Sequence, residues 1–252
     1  MSKIHFIGGE KGGVGKSVLA RLLAQYHIDS QRPFTVFDTD LSHGAMARFY
    51  GDYTQSIALD AFDDVDRLME AALAEPRNVL VDLAAQTSGP LFRWIEQNDC
   101  LALAEEEGIG VVFWHVMDDG ADGIALLERL IERSGGAASY VVVLNQGRGK
   151  DFSFFQDSTA REAAAAAGAR VILFPELHQP TMRKVDHLGA SFWAASQQQP
   201  GGLGLMERQR IKVWMRKGYE QFAGLGALLE VPAPNEDVRE WLTGSQDESS
   251  PG

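Results

Sequence analysis

The sequence predicts an α/β protein: a three-layer, doubly wound fold built on a mostly parallel sheet. Three observations predict it. Short β-branched and aromatic runs alternate with longer stretches of helical period, as expected for stacked βα units. The strand candidates are continuous apolar runs, as in Val141-Val142-Val143-Leu144, and such runs suit a sheet covered on both faces. A glycine-rich loop closes the first strand candidate and opens the first helix candidate, a strand-loop-helix order found where open α/β sheets bind ligands.

Taken in order, a strand at 3–7 leads through that loop to a helix at 17–30. A strand at 34–38 is followed by a helix at 64–75, a strand at 78–83 by a helix at 89–98, and a strand at 110–116 by a helix at 120–134. The last two units pair a strand at 139–145 with a helix at 158–167, and a strand at 170–174 with a helix at 180–188. The alanine-rich stretch Ala163 to Ala167 favours a helix, because alanine has the best intrinsic propensity. Gln197-Gln198-Gln199-Pro200-Gly201-Gly202 reads as a loop before a last helix at about 205–223. No repeat of fixed period occurs. Residues 1–242 are expected to form a single domain, and the polar residues 243–252 a flexible tail.

Composition narrows the class. A chain of 252 residues, 45% hydrophobic and 23% charged, can bury a sizeable core, which excludes disorder throughout. The single cysteine, Cys100, excludes an internal disulfide framework and suggests a reducing compartment, so a cytoplasmic location is expected. The apolar run at the amino end is too short for a signal segment, and no window approaches the roughly 18 apolar residues that span a bilayer. A net charge of -12 argues against general affinity for polyanions, although a segregated basic patch could still bind nucleic acid.

The decisive segment is Gly8-Gly9-Glu10-Lys11-Gly12-Gly13-Val14-Gly15-Lys16-Ser17. From Gly9 to Ser17 it runs glycine, five residues and then Gly-Lys-Ser, one residue longer than G-x-x-x-x-G-K-[ST], the phosphate-binding loop of nucleoside triphosphatases, with Glu10 where that motif has its first glycine. It stands in the strand-loop-helix context that the motif requires. Glycines let the backbone curl so that successive amides point inward at phosphate oxygens, and the following helix adds its positive end. Gly12, Gly13, Val14, Gly15, Lys16, Ser17 and Val18 are therefore the candidate nucleotide contacts. Lys16 would lie against the β and γ phosphates, and the Ser17 hydroxyl would ligate Mg²⁺. Asp38 and Asp40, two residues apart on an extended segment, point to one side within reach of the metal and its waters. Val79-Leu80-Val81-Asp82 is an apolar strand that delivers one acid, Asp82, to the same edge, where it would act on Mg²⁺ through water.

The earlier lysine, Lys11, makes Lys-Gly-Gly-Val-Gly-Lys-Ser resemble the deviant Walker A loop of the ParA/MinD family. The resemblance covers residues 3–188 and implies a nucleotide-sandwiched homodimer in which Lys11 reaches the partner's phosphates. It also implies catalytic roles for Lys11, Lys16 and Asp40, the last positioning the attacking water, with Asp38 helping to hold the metal shell. Asn145 stands where relatives carry an adenine-reading Asn, and Phe174-Pro175-Glu176-Leu177 resembles the segment whose backbone flanks the base at Pro175. Two departures concern coupling to a partner: Leu83-Ala84-Ala85-Gln86-Thr87-Ser88-Gly89 replaces the usual proline- and glycine-containing switch after Asp82, and Leu41-Ser42 stands where many members have Pro-Gln.

Residues 207–217 carry five basic side chains against one acid, with Ile211, Trp214, Met215, Tyr219 and Phe222 at helical spacing. This reads first as a surface helix packed by its apolar stripe, and second as a face for nonspecific DNA or a partner. With the amino-terminal motif, the Arg208-Gln209-Arg210-Ile211-Lys212 segment resembles TraL-type proteins of conjugative plasmid transfer. The six histidines, His5, His27, His43, His115, His178 and His187, lack metal-ligand spacing, and Cys100 alone cannot supply a bridging iron–sulfur cluster. Acidic residues 235–242 lack the basic amphipathic face of a membrane anchor.

These readings lead to an expectation of a Mg²⁺-ATP-dependent switch ATPase that dimerises on ATP and cycles a protein partner or activator, in plasmid partition or conjugative transfer. An ATP-holding scaffold with little hydrolysis and a metabolic phosphotransferase or amidoligase remain open as alternatives.

Overall fold

The computed structural model describes residues 1–42 and 44–231. His43, the acidic segment 235–242 and the expected tail 243–252 lie outside the described residues. Seven strands, β1 (Lys3–Gly8), β2 (Phe34–Asp38), β3 (Thr54–Ser56), β4 (Asn78–Asp82), β5 (Gly110–Met117), β6 (Ser139–Asn145) and β7 (Arg170–Phe174), form one sheet in the order β3-β2-β4-β1-β5-β6-β7. Every pairing is parallel. The helices are α1 (Lys16–Asp29), α2 (Ala45–Tyr50), α3 (Phe62–Ala74), α4 (Ser88–Gln97), α5 (Cys100–Glu106), α6 (Ala121–Ser134), α7 (Ser153–Gln156), α8 (Thr159–Ala166), α9 (Gln179–Leu188), α10 (Phe192–Ser196) and α11 (Leu205–Ala223).

Both faces of the sheet are covered, which is why the strands read as unbroken apolar runs. Ile7, Val36, Leu80, Trp114 and Val143 pack with α1, α10 and α11 on one side. Phe6, Phe37, Val81 and Phe113 pack with α3, α4 and α5 on the other. A smaller cluster joins Met117, Val142 and Leu144 to α6, α7 and α8. β1 lies between β4 and β5, so the chain winds one way from β1 to β2 and crosses back over β1 between β4 and β5. This reversal opens a crevice at the carboxyl ends of β1 and β4.

The expected elements all occur, with shifted ends: β4 stops at Asp82 rather than at residue 83, and α3 begins at Phe62, with Asp63 and Asp64 in its first turn. The sheet has one strand more than the sequence pattern indicates, because β3 is a three-residue edge strand seated against Val36, Phe37 and Asp38. α2, α5, α7 and α10 were also not anticipated; each is seven residues or shorter, too brief to display a 3.6-residue period. The basic carboxyl-proximal helix α11 packs Ile211, Trp214, Met215 and Phe222 into the core, as its apolar stripe indicates.

At the amino ends of the strands a buried polar chain is completely paired. Trp114 Nε1 donates to His5 Nδ1 (3.1 Å), which fixes the proton of His5 on Nε2, where it is donated to Asn78 Oδ1 (3.1 Å). Asn78 Nδ2 then donates to His27 Nε2 (2.9 Å) and to the Leu229 carbonyl (3.1 Å), while His27 Nδ1 donates to the Leu23 carbonyl (2.8 Å). Every donor meets an acceptor only if both rings are neutral. Burial enforces this, pushing His5 down to about 3 and His27 down to about 4.

Both folded values lie below the ordinary 6.5, so below that pH the unfolded chain binds protons that the fold refuses, and stability is lost as pH falls from about 6.5 towards 4. His27 alone accounts for a loss on the order of 2 kcal/mol between pH 7 and pH 5. A His27→Phe variant should be less stable than the parent at pH 7, yet lose less on acidification. Thermal unfolding at both pH values checks this, and equal losses in the two proteins would refute it.

Candidate functional site

The loop between β1 and α1 follows from its glycines. Gly15 caps α1 in the left-handed region (φ 102°), and a Cβ there would lie 2.3 Å from Asn145 Nδ2. Gly13, also left-handed (φ 77°), faces open space, with no atom within 4 Å of where its Cβ would be. No side chain caps the helix, which leaves its first amides available to an anion. Val14 is buried and Val18 packs against the same core cluster, so both would meet a ligand through their backbone.

Two charges stand behind this loop. Lys16 is only 7% exposed, and its Nζ donates to the Lys11 carbonyl (3.0 Å). Burial lowers its pKa, opposed by the charges of Asp82 and Glu10. Asp82, 3% exposed, keeps one carboxylate oxygen, Oδ1, without any hydrogen-bond partner among the described residues. Burial first, and then the facing charge of Asp38, push its carboxyl up to about 7 against the pull of the Ser17 hydroxyl and Lys16. Asp38 and Asp82 are register partners at the ends of neighbouring strands.

The remaining acids have local tasks. Asp38 accepts the amides of Asp40 (3.0 Å) and Met46 (2.9 Å) and so holds the start of α2; burial raises its pKa. Asp40 accepts both the amide (3.1 Å) and the hydroxyl (2.8 Å) of Ser42. Lys11 reaches sideways to the end of β5, pairing with Asp118 at 2.8 Å and Asp122 at 3.9 Å, and its bond to Asp118 raises its pKa. Thus Lys16, Ser17, Asp38 and Asp82 converge, whereas the side chains of Asp40 and Lys11 engage neighbours of their own.

Asn145 and Pro175, the expected adenine contacts, both make hydrogen bonds within the chain. The Asn145 carboxamide, 4% exposed, donates to the Val14 carbonyl (2.6 Å) and accepts the Gly147 amide (2.9 Å), bracing the loop from behind. The Pro175 carbonyl accepts from Trp214 Nε1 (2.8 Å) on α11. Two other residues went unnoticed in the sequence. Glu10 accepts the Ser88 amide (2.9 Å), clasping the loop to the start of α4. The Thr39 hydroxyl donates to the Asp82 carbonyl (3.1 Å) and accepts the Ala84 amide (2.9 Å), joining both acidic strand ends. These are contacts across the fold, and only an acid within the motif and a Thr between two Asp residues hinted at them.

Among the described residues no group of three or more His, Cys, Asp or Glu side chains could hold a metal. The donor set fits a hard cation shared with a phosphate: one buried carboxylate oxygen lacking a partner, one hydroxyl, and an ammonium beside an open backbone curl.

No family model matches the chain. It is 27% identical over 244 residues to a protein TraL of Escherichia coli, covering 90% of this chain and all of that one. It is also 27% identical over 177 residues to protein MobD of Acidithiobacillus ferrooxidans, covering 69% of this chain and 78% of MobD. Among solved structures it superimposes on MinD of Pyrococcus horikoshii OT3 complexed with Mg-ADP (TM-score 0.54, 12% identity, 91% of this chain and 99% of that one). MinD of Aquifex aeolicus matches at TM-score 0.52 and 12% identity, over 93% of this chain and all of that one. The resemblance to the ParA/MinD group and to TraL is borne out, and the fold is that of MinD.

The Asn145 geometry generates a prediction. A brace supports the loop whatever base is bound, so Asn145→Ala should weaken ADP and GDP by the same factor, about tenfold for the loss of a buried hydrogen bond. Calorimetric titration of both nucleotides tests this, and a loss confined to ADP would make the residue a base reader instead.

Proposed function

We propose that the chain is a Mg²⁺-dependent ATPase that works as a dimerising switch in plasmid transfer or partition. The observation that carries this reading is the buried, partnerless Oδ1 of Asp82 beside Lys16 and Ser17, under an open glycine curl. A carboxylate held in this way is stabilised by a cation, and a curl of amides ending in a helix is stabilised by a phosphate.

In this reading the loop amides from Gly12 to Val18 and the Lys16 ammonium would hold the β and γ phosphates, while Ser17 and Asp82, with Asp38 behind them, would hold Mg²⁺. When bound, Mg²⁺ neutralises charge that develops on the phosphate oxygens. Asp40 exchanges its hold on Ser42 for the attacking water and orients it towards the γ phosphate. Lys11 leaves Asp118 and meets the phosphates of a second copy, so that triphosphate joins two subunits and its cleavage releases them. The work is positioning and charge neutralisation, and the groups named supply both.

The likeness to TraL and MobD supports a role in conjugative transfer, and the solved complex of MinC with MinD (TM-score 0.51, 13% identity) supports a protein partner. A location in the cytoplasm agrees with both. Among the described residues no helix is long and apolar enough to cross a membrane. The exposed basic side chains of α11, Arg210, Lys212, Arg216 and Lys217, form the face proposed for nonspecific DNA.

Lys16→Ala should abolish nucleotide binding. Lys11→Ala should leave binding to the monomer intact and remove the ATP-dependent dimer, as read by light scattering with and without ATP. Normal dimerisation of the Lys11 variant would sink the switch, and a nucleotide-bound dimer with no measurable turnover, unaffected by Asp40→Ala, would favour a holding scaffold. For DNA, retention of duplex should require ATP, weaken with salt and fall on charge reversal at Arg210 and Lys212 together. Unchanged retention would remove that face from the account.

A further inference from the structure

A cavity of about 480 Å³ lies between α4 and α6, under the first residues of the phosphate loop. Its floor is an aromatic ladder: Phe6 and Phe92 each stack on Phe113, with ring centroids 5.3 and 5.7 Å away. Leu91 of α4 and Leu130 of α6 close its sides. The three aromatic rings are almost fully buried, whereas the charged side chains that line the cavity, Arg129, Glu132 and Arg133, are exposed and form a mouth. The volume and the apolar wall with a few polar groups are those of a small-molecule site.

The mouth selects charge. Arg133 is engaged through Nε and Nη2 with Glu96 (2.6 and 3.1 Å) and lies 4.6 Å over the Phe92 ring, leaving Nη1 to donate. Glu10 is occupied by the Ser88 amide. Arg129 has no partner among the described residues, so its whole guanidinium fork and one nitrogen of Arg133 are left to donate at the mouth, where Glu132 is the other charged side chain. A planar fork pairs with a carboxylate or sulfonate through two parallel bonds.

We infer that this cavity binds a small aromatic anion, with its ring system on the Phe6-Phe113-Phe92 ladder and its anionic group at Arg129. Gly8, Gly9 and Glu10 line the cavity on one side and open the phosphate loop on the other, while Ser88 ties that loop to α4. A ligand here therefore bears on the same backbone as the nucleotide without occupying its crevice, as an effector would. The site goes beyond the ATPase reading, and its test needs no ATP.

The probe is 1-anilinonaphthalene-8-sulfonate, titrated by fluorescence against the folded full chain. The expected result is saturable binding of one molecule per chain. Leu130→Trp, which fills the cavity, should weaken it at least about tenfold. Leu126→Trp, one turn earlier on the same wall, serves should the first variant fail to fold, as judged by circular dichroism. Arg129→Glu should weaken the sulfonate about tenfold while leaving neutral N-phenyl-1-naphthylamine within about twofold. Binding unchanged by a folded filling variant would overturn the site. Equal loss of the charged and neutral probes in Arg129→Glu would overturn its preference for an anion.

Discussion

A lysine and an aspartate are held away from water at one edge of the sheet with their solvation left incomplete. Among the described residues Lys16 has a single carbonyl for its ammonium, and Asp82 has an oxygen without a hydrogen-bond partner. Burying charges costs several kcal/mol per ion unless good geometry and further hydrogen bonds offset it, and here both are partial. The direction of each pKa records the cost: Lys16 is pulled down and Asp82 pushed up, each towards its neutral form. Neighbouring features of this edge accommodate the pair. Asp38, facing Asp82, accepts the amides of Asp40 and Met46 at the start of α2, and Thr39 ties the two strand ends together. A fold selected for stability alone would place apolar side chains here, and the charges fit the cation and phosphate proposed for this edge.

The other edge of the same sheet solves the opposite problem. Four buried polar side chains, Trp114, His5, Asn78 and His27, form one chain in which each donor has one acceptor and no group carries charge. Asn78 uses both amide hydrogens, and the second, on the Leu229 carbonyl, pins the segment after α11 across the amino ends of β1 and β4. A satisfied network is rigid and needs no partner, whereas an unsatisfied one is open to binding. Register makes the two ends dependent on each other: Asn78 begins and Asp82 ends the same five-residue strand, so a slip that broke the first would misplace the second.

What was legible in the sequence is what is contiguous. The phosphate loop occupies one run of residues, and its strand and helix are each long enough to display a period, so Lys11, Lys16 and Ser17 could be placed by inspection. Asp38 and Asp82 stood out because each ends an apolar run. The same reasoning put Asn145 at a strand end but could not see that its carboxamide bonds to Val14 and Gly147, since those bonds depend on how close the loop comes to β6. β3 and the short helices carry too few residues for periodicity, and tertiary contact decides them. The cavity was invisible for another reason: Phe6, Phe92, Phe113 and Leu130 each read as ordinary core, and only the distance between α4 and α6 leaves room among them.

Lys11 unites the loop with the proposed second subunit through a division between its backbone and its side chain. Its carbonyl is held by Lys16 Nζ, so the position from which the side chain departs is fixed by the same ammonium that would meet the phosphates. Its own ammonium rests on Asp118 and Asp122 at the surface, where water and salt weaken an ion pair. A triphosphate covered by a second copy presents more negative charge in a drier setting, and there a charge-assisted bond is stronger. Exchange of aspartate for phosphate is then favoured only once the partner is in place. In the proposed dimer such a lysine would not have to be driven out of its own subunit: a surface pair with Asp118 and Asp122 holds it, and closure on a second copy would decide between the two acceptors.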